Sequence, residues 1–314
     1  MVIRKFNYYR FFVFIVVLIS LIIGIFILIK RNNYKKTYDY KLNTIGYNED
    51  EINTIKEKLD NDKINELLNR KYDSTLVDFL KERYFIYKNL DKYLEYKKLH
   101  KLQNNTEIVS IINTEANIEW IDNMKDTDIS KGKLILVNRI YGLPSDYEVK
   151  DIVNVSVKYA YNNVKISESI LEYIENMIDD AKEEGLNLIL SDGYRSNKEQ
   201  TQLYNKYKDA YGIKDADKVV ARPYHSEYET GISFNIVPYN KVYNNPKESD
   251  EYKWLDDNAH KYGFIFRLKD DKVKLTGFEA STWKLRYVGV DAANVIKNEN
   301  LCFEEYYAYY VDKE

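Results

Sequence analysis

The stretch that decides the fold is ARPYHSEYETGISFNI, residues 221–236. It lies between two other distinctive stretches, SDGYRS at residues 191–196 and STWKLRYVG at residues 281–289. The first of these is followed by Gln200. Three such stretches in a fixed order and spacing identify a fold far more specifically than any single short motif does.

Together these stretches resemble the zinc D-Ala-D-Ala carboxypeptidases that trim the stem peptides of peptidoglycan. That family has Ser-Gly-Tyr-Arg-Ser with a downstream glutamine, then Arg-Pro-Gly-x-Ser-Glu-His-Gln-Thr-Gly-x-Ala-x-Asp-Ile, then Glu-Pro-Trp-His before Arg-Tyr-Val-Gly. The resemblance extends through WL at residues 254–255 and NAHKYGFI at residues 258–265. It implies an α+β fold with a small, mainly antiparallel sheet and packed helices.

The resemblance implies zinc ligands His, Asp and His at the positions that hold Tyr228, Asn235 and Lys284. A catalytic zinc takes three protein ligands and keeps a fourth position for water. A phenol and an uncharged amide are poor ligands, and a protonated amine has no lone pair. The family's general base is a glutamate where this chain has Ser281, whose hydroxyl does not act as a base unaided. We therefore expect a catalytically inactive homologue with no cofactor, although the family uses zinc.

Other residues offer little to rebuild a metal site. The chain has three histidines, His100, His225 and His260, and we expect them to be unrelated to one another. Glu279 lies two residues before Ser281 and would share its face if that segment is a strand. It is a substitute carboxylate, but without imidazoles to hold zinc it has little to activate.

The binding residues of the family are retained better than the metal ligands. By resemblance, Arg195 matches the arginine that contacts the substrate, and Gln200 and Ser226 match residues near the terminal D-Ala. The planar guanidinium suits a carboxylate. The alternative is that Arg195 holds a local turn by bonding backbone carbonyls. Together with Lys284 it provides two fixed cations, so we expect the site to bind a peptide carboxylate through charge-assisted hydrogen bonds.

Three functions from different classes remain open. The favoured one is an inactive homologue that binds peptidoglycan stem peptides or a cell-wall partner protein. The second is an active D,D-carboxypeptidase with an unrecognised metal site. The third is a chemistry built from Ser281 and Lys284, whose Ser-x-x-Lys spacing is that of penicillin-binding proteins. In those proteins the pair lies on a helix, whereas this segment is predicted to be extended.

The N-terminal region contains an uncharged run from Phe11 to Ile29, which is long enough to span a bilayer as a helix. Positive residues lie on both sides, so the positive-inside rule does not set the orientation. No small-x-small cleavage site ends the run, so we predict an uncleaved membrane anchor rather than a signal peptide. The resemblance to enzymes of the cell wall places the C-terminal domain outside the cell.

We predict three parts, a membrane anchor at 1–33, a helical stalk at 34–103 and a carboxypeptidase-like domain at 104–314. The stalk is predicted from short apolar stripes at helical spacing, and a partner-binding role for it is the alternative. Those stripes are Ile52, Ile55 and Leu59; Ile64, Leu67 and Leu68; Leu76, Phe79 and Leu80; and Leu90, Tyr93 and Leu94.

Within the third part, apolar runs predict strands and periodic segments predict helices. The predicted strands are 108–112, 134–137, 188–190, 264–266 and 283–288, and the predicted helices are 167–184, 197–211 and 250–262. Ser167 is expected to cap the first of these helices and Gly185 to end it.

Composition excludes two further classes. The net charge is −3, with Lys and Arg mixed among Asp and Glu and no sustained basic patch, so nucleic acid is not an expected partner. Cys302 is the single cysteine, so no intrachain disulfide forms.

Overall fold

The computed structural model of the protein describes residues 8–120 and 124–312. Its contacts divide the chain into two compact units, Met1–Thr106 and Glu107–Glu314. The finer division into an anchor, a stalk and a carboxypeptidase-like domain stays a prediction.

The first unit begins with the predicted apolar helix, α1 (Tyr8–Lys35), none of whose residues is buried. By length and composition, it is the one helix in the described part of the chain that is able to cross a membrane. The short helices that follow are α2 (Tyr38–Ile45), α3 (Glu49–Lys58), α4 (Asn61–Leu67), α5 (Ser74–Leu80) and α6 (Leu90–Leu99), with a 3₁₀ turn at Tyr87–Asn89.

These short helices begin at side-chain caps and share one core. Asn48, Asp60 and Asp73 each accept a hydrogen bond from a backbone N–H in the first turn of the helix that follows them. Helices of this length are marginal alone, so their packing on each other stabilises them. The predicted apolar stripes supply that core, in which Ile55 and Leu67 are fully buried.

The second unit is α+β, as predicted. Its elements are α7 (Asn105–Asn113, which starts two residues before the unit boundary), β1 (Lys125–Asp126), β2 (Tyr141–Gly142), β3 (Ile152–Asn154), β4 (Lys165–Ser167), α8 (Leu171–Glu183), β5 (Leu188–Asp192), α9 (Asn197–Tyr211), α10 (Ile213–Val219), β6 (Ser233–Pro238), α11 (Asp250–Asn258), β7 (Phe264–Leu268), α12 (Val273–Thr276), β8 (Ser281–Tyr287), α13 (Val290–Asn298) and α14 (Phe303–Tyr306). Short 3₁₀ turns lie between several of these, and a π-helix at Tyr307–Val311 follows α14.

The central sheet has four antiparallel strands in the order β5-β6-β8-β7. One face of it is apolar and packs into the core of the unit through side chains such as Phe234, Leu285 and Phe264, together with Ile174 of α8. Alternation along the strands sends the polar residues of β6, β7 and β8 to the other face. That second face carries the candidate site.

Two predicted strands are wrong. Residues 108–112 belong to helix α7, where all five side chains are buried, so the run lacks the polar positions that distinguish a helix from a strand. Residues 135–137 are buried but unpaired, and the Ile135 carbonyl accepts from Arg286 instead of from a neighbouring strand.

The predicted helices form with small corrections at their ends. The first is a 3₁₀ turn at Glu168–Ile170 followed by α8, and it ends before Gly185, which has φ 82°. Ser167 makes no capping hydrogen bond, because its hydroxyl donates to Asp151 Oδ2 at 2.6 Å. The segment predicted at 250–262 is helix α11 continued by a 3₁₀ turn at Ala259–Tyr262.

Candidate functional site

The floor of the site is formed by two neighbouring strands. Asn235 of β6 lies directly opposite Lys284 of β8 in the antiparallel register. Phe234 and Leu285, the adjacent pair, are fully buried in the core. Because side chains alternate along a strand, Asn235 and Lys284 both point away from that core.

Tyr228 reaches the same face from the turn before β6. The 3₁₀ turn Glu227–Thr230 ends at Gly231, which has φ 74°, and a Cβ there would lie 3.2 Å from the backbone nitrogen of Ser167. Glycine is therefore required both by conformation and by space. The Tyr228 hydroxyl donates to Asn235 Oδ1 at 2.7 Å. The side chains at two of the three positions that match metal ligands are thus hydrogen-bonded to each other.

Two cations lie against the ring of Tyr228. The Arg195 guanidinium carbon is 4.1 Å from the ring centroid, and Lys284 Nζ is 4.6 Å from it. Both distances are within the range of a cation–π interaction. The residue is only 9% exposed, so these contacts are shielded from water.

Arg195 is held by side chains rather than by backbone carbonyls. Its guanidinium pairs with Asp192 at the end of β5 and donates to Gln200 Oε1 at 3.3 Å. Gln200 in turn donates to the Ala221 carbonyl at 2.7 Å. The turn-holding alternative for Arg195 is therefore not the arrangement found, since its partners are two side chains that the sheet and α9 position.

A buried ionic cluster lies beneath the site. Glu227 Oε1 accepts from Arg267 Nε at 2.7 Å and also from Arg286. Arg267 donates to both oxygens of Glu304, at 2.5 and 3.0 Å. Glu227 Oε2 has no hydrogen-bond partner among the described residues and lies 3.5 Å from Lys284 Nζ. The cluster holds three cations and two carboxylates, so it carries an excess positive charge.

The protonation states follow from this burial. Burial by itself raises the pKa of the Glu227 carboxyl, but Arg267, Arg286 and Lys284 outweigh it and hold that pKa well below its usual range. Burial lowers the pKa of Lys284 to about 8, against the opposing attraction of Glu227. Burial also raises the pKa of the Tyr228 phenol. At neutral pH the site therefore holds a protonated lysine, an ionised glutamate and a neutral tyrosine.

All the site residues predicted from the sequence line one cavity of about 340 Å³. They are Arg195, Gln200, Ser226, Tyr228, Asn235, Ser281 and Lys284. One wall of the cavity is apolar and includes Leu203, Tyr207 and Phe278. The structure brings these residues together, while their role in binding stays a prediction.

Ser281 enters the cavity because β8 is irregular. In a regular strand, residues three apart such as Ser281 and Lys284 face opposite sides. The register of β8 with β7 shifts between Phe266 and Leu268, and both Ser281 and Lys284 line the cavity. Because β8 begins at Ser281, Glu279 does not share a strand face with it, and its exposed side chain lines the cavity from outside the sheet.

The histidines have different surroundings. His225 lines the cavity, but its Nδ1 lies 2.7 Å from the Asn138 carbonyl and burial lowers the pKa of its ring. His260 lines a separate small pocket beside Lys297, and His100 stacks on Tyr96 in the first unit. Within the second unit, His225 and His260 are unrelated, as expected.

The residues present do not fit a zinc ion. In the described ranges 8–120 and 124–312, no group of three His, Cys, Asp or Glu side chains is placed to hold a metal. Tyr228 and Asn235 direct their oxygens at each other, and Lys284 places an ammonium at the third position. A second cation at this place would be repelled by that charge.

Sequence reasoning missed the cluster beneath the cavity. Glu227 and Arg286 stand inside the family-like stretches, but they were not identified as partners. Arg267 and Glu304 are 37 positions apart along the chain, so no local pattern pairs them. The one hint in the sequence is Arg267 itself, a charged residue within the otherwise apolar run of β7, which needs an acidic partner if it is buried.

Comparisons with known proteins show what this chain is similar to. The VanY family profile, described as D-alanyl-D-alanine carboxypeptidase, matches residues 163–290. The Bacillus subtilis (strain 168) protein YodJ, named as a carboxypeptidase, is 33% identical over 201 residues, which are 61% of this chain and 72% of that protein. A D-alanyl-D-alanine carboxypeptidase of Enterococcus faecalis (strain ATCC 700802 / V583) is 31% identical over 57% of this chain and 67% of its own. Among solved structures, the LdcB LD-carboxypeptidase is 33% identical with a TM-score of 0.56, over 61% of this chain and 93% of that one.

Proposed function

Because this chain belongs to the VanY family of D-alanyl-D-alanine carboxypeptidases, we propose that it is a member without peptidase activity that binds the carboxylate end of peptidoglycan stem peptides. The observation that carries the proposal is the arrangement at the three ligand positions. There a Tyr228–Asn235 hydrogen bond and the Lys284 ammonium replace a set of metal donors.

The lack of catalysis follows from the chemistry of the cavity. Hydrolysis of a peptide bond needs a base for water or a Lewis acid for the carbonyl. Ser281 provides neither, and the ionised Glu227 is committed to Arg267 and Arg286 below the floor. The exposed Glu279 lines the cavity, but it belongs to no group of three His, Cys, Asp or Glu side chains placed to hold a metal among the described residues.

Binding of a carboxylate follows from the charges. Lys284 and Arg195 both line the cavity, and because the two arginines beneath it are matched by two carboxylates, Lys284 itself supplies the excess positive charge. Each cation already has an acidic neighbour, Glu227 for Lys284 and Asp192 for Arg195, so the attraction for an added anion is reduced from that of two free cations. We expect weak, salt-sensitive binding.

The place of action is the outer face of the cell membrane. Helix α1 supports a single-pass anchor, and among the similar proteins one is named a D-alanyl-D-alanine carboxypeptidase and another is described by its recognition of peptidoglycan. In this proposal the second unit meets its ligand outside the cell, and the partner is a stem peptide rather than a nucleic acid.

The proposal is tested on the full chain purified in detergent without chelator. Elemental analysis is expected to find well under one zinc per chain. Calorimetry with diacetyl-L-Lys-D-Ala-D-Ala is expected to detect binding that weakens in Arg195→Ala and Lys284→Ala, with no release of D-Ala. Lys218→Ala, which removes an exposed lysine paired with Asp215, is the matched control and is expected to bind like the wild type.

The same experiment separates the alternatives. Stoichiometric zinc would favour an active carboxypeptidase with an unrecognised metal site. Release of D-Ala without zinc, abolished by Ser281→Ala, would favour chemistry at Ser281 and Lys284. That alternative is supported by the shared cavity and by the lowered pKa of Lys284, although β8 is a strand and not a helix. No binding in any variant would favour a cell-wall protein as the partner.

A further inference from the structure

The ring of Tyr228 is the common contact of both cations in the cavity. Arg195 comes from the turn before α9 and Lys284 from the middle of β8, and no hydrogen bond or ion pair joins them to each other. Their guanidinium carbon and ammonium nitrogen lie 4.1 and 4.6 Å from the same ring centroid. The ring is therefore a side-chain contact that both cations share, in addition to the sheet, whose register places Asp192 opposite Asn235 and Asn235 opposite Lys284.

Tyr228 is held at its side chain and at its backbone. Its hydroxyl donates to Asn235, its backbone carbonyl accepts from the backbone N–H of Arg195 at 3.2 Å, and the turn that contains it ends at Gly231. The residue is 9% exposed, so the ring has little freedom to turn away. A rigid aromatic face with its negative quadrupole attracts cations and so offsets part of their mutual repulsion.

We propose that Tyr228 is a positioning residue whose ring holds Arg195 and Lys284 side by side as a carboxylate-binding pair. The proposal rests on the proposed function, because it says how the binding site for the peptide carboxylate is held. In this arrangement an aromatic ring organises the charge of the cavity, and the hydroxyl serves to anchor the ring through Asn235. The residue acts through the two cations and does not itself contact the ligand's reacting atoms.

The test replaces Tyr228 in the full chain with phenylalanine and with phenylalanines that carry one, two and three ring fluorines. Fluorine withdraws charge from the ring face while it keeps the size of the side chain nearly constant. Tyr228→Phe is expected to bind diacetyl-L-Lys-D-Ala-D-Ala within about threefold of wild type, since it loses only the anchor to Asn235. Affinity is then expected to fall stepwise with each fluorine, to about tenfold below Tyr228→Phe at three fluorines.

A second measurement does not need the peptide. Acylation of Lys284 by a small activated ester is read by mass spectrometry relative to exposed Lys218, and it is expected to increase stepwise with fluorination as the ring releases the ammonium. If labelling changes but the wild type binds no peptide, the proposed function fails and the positioning role stands. If the fluorine series moves neither labelling nor affinity, the positioning role is overturned, even when the wild type binds the peptide. Tyr228→Leu removes the ring entirely. It is expected to bind the peptide more weakly than the trifluoro variant and to be acylated at Lys284 to a greater extent.

Discussion

The residues at the three ligand positions are matched to one another. The Tyr228 hydroxyl needs an acceptor, and the Asn235 amide oxygen provides it at 2.7 Å. The Lys284 ammonium needs a counter-charge, and Glu227 lies 3.5 Å away. A buried polar group without a partner is costly. Changing one of these residues back to a metal ligand therefore disturbs its partners without completing a metal site.

Zinc binding is expected to return only when all three positions change together. Tyr228→His, Asn235→Asp and Lys284→His combined supply three donors, the number that zinc takes from a protein at a catalytic site. We expect about one zinc per chain in this triple variant and near none in each single variant. Elemental analysis after dialysis against zinc measures it. A single variant that binds zinc fully would show that the present side chains contribute donors after all.

Peptide affinity is expected to decrease as the pH rises through the pKa of Lys284, about 8. Below that pH the free protein already carries the ammonium, so affinity is nearly constant there. Above it, binding a carboxylate requires proton uptake, and affinity falls by up to about tenfold per pH unit. Calorimetry with a diacetylated peptide between about pH 7 and about pH 10, a window that brackets this pKa, measures the change.

Lys284→Arg is the matched control for this pH dependence. A guanidinium stays protonated throughout the window, so the variant is expected to bind with a flat profile. An unchanged slope in Lys284→Arg would assign the proton to another group. If the affinity of the wild type does not change with pH, the Lys284 ammonium does not contribute to binding of the carboxylate.

At the scale of elements, strands β7 and β8 and the turn before β6 hold a buried charge cluster that Glu304 of α14 completes. Glu304 of α14 accepts two hydrogen bonds from Arg267 of β7, which also bonds Glu227 in the turn before β6. Removing one partner of such a group leaves a charge buried without compensation. The cluster therefore links the C-terminal helix to the floor of the cavity.

Glu304→Gln is expected to lower the free energy of unfolding by about 3 kcal/mol, because it leaves the buried Arg267 with one carboxylate instead of two. Asp215→Asn, which breaks an exposed ion pair with Lys218, is the control and is expected to cost less than about 0.5 kcal/mol. Urea unfolding followed by tryptophan fluorescence reports on the second unit, where all three tryptophans lie. Equal losses in the two variants would mean that the buried cluster does not stabilise the fold.

The sequence predicted the elements that carry a clear period and failed where the backbone is bonded in an unusual way. Helix α9 is predicted at its observed bounds, and strands β5 and β7 are predicted to within two residues. In α7 every side chain from Ile108 to Ile112 is buried, so no alternation separates a helix from a strand. Residues 135–137 of the run predicted as a strand have no strand partner among the described residues, and the Ile135 carbonyl accepts instead from Arg286, a pairing that only the folded chain defines.

The candidate site shows the same division. The predicted residues line one cavity because the family-like stretches lie within strands of the sheet or next to their ends. The pairing of Arg267 with Glu304 and the two contacts on the Tyr228 ring depend on long-range packing. Local patterns carry no information about such contacts, so these residues were found only in the structure.

At the scale of the whole molecule, the two units differ in what they bury. The second unit buries apolar residues around the sheet, and the short helices of the first unit share a core of their own. Helix α1 of the first unit buries none, although its side chains are almost all apolar. An exposed apolar surface of this length is unfavourable in water and is stabilised in the hydrocarbon of a bilayer. The composition of α1 therefore indicates a membrane environment.

The last prediction concerns how the chain crosses that membrane. Basic residues flank α1 on both sides, so charge does not set the orientation, and the wall-directed family sets the expectation instead. Protease added to intact protoplasts is expected to digest Glu107–Glu314 and to leave a membrane-bound fragment containing α1, detected with a tag on the N-terminus.

A cytoplasmic protein that survives in the same sample shows that the membrane is intact, and detergent-lysed protoplasts show that the protease reaches both sides. A second unit that resists digestion until lysis would place it in the cytoplasm, and a mature form that starts near Arg31 would make α1 a cleaved signal. Either result would end the proposal of a surface-anchored binding protein, because the cavity would then lie in the wrong compartment or lack its attachment to the membrane.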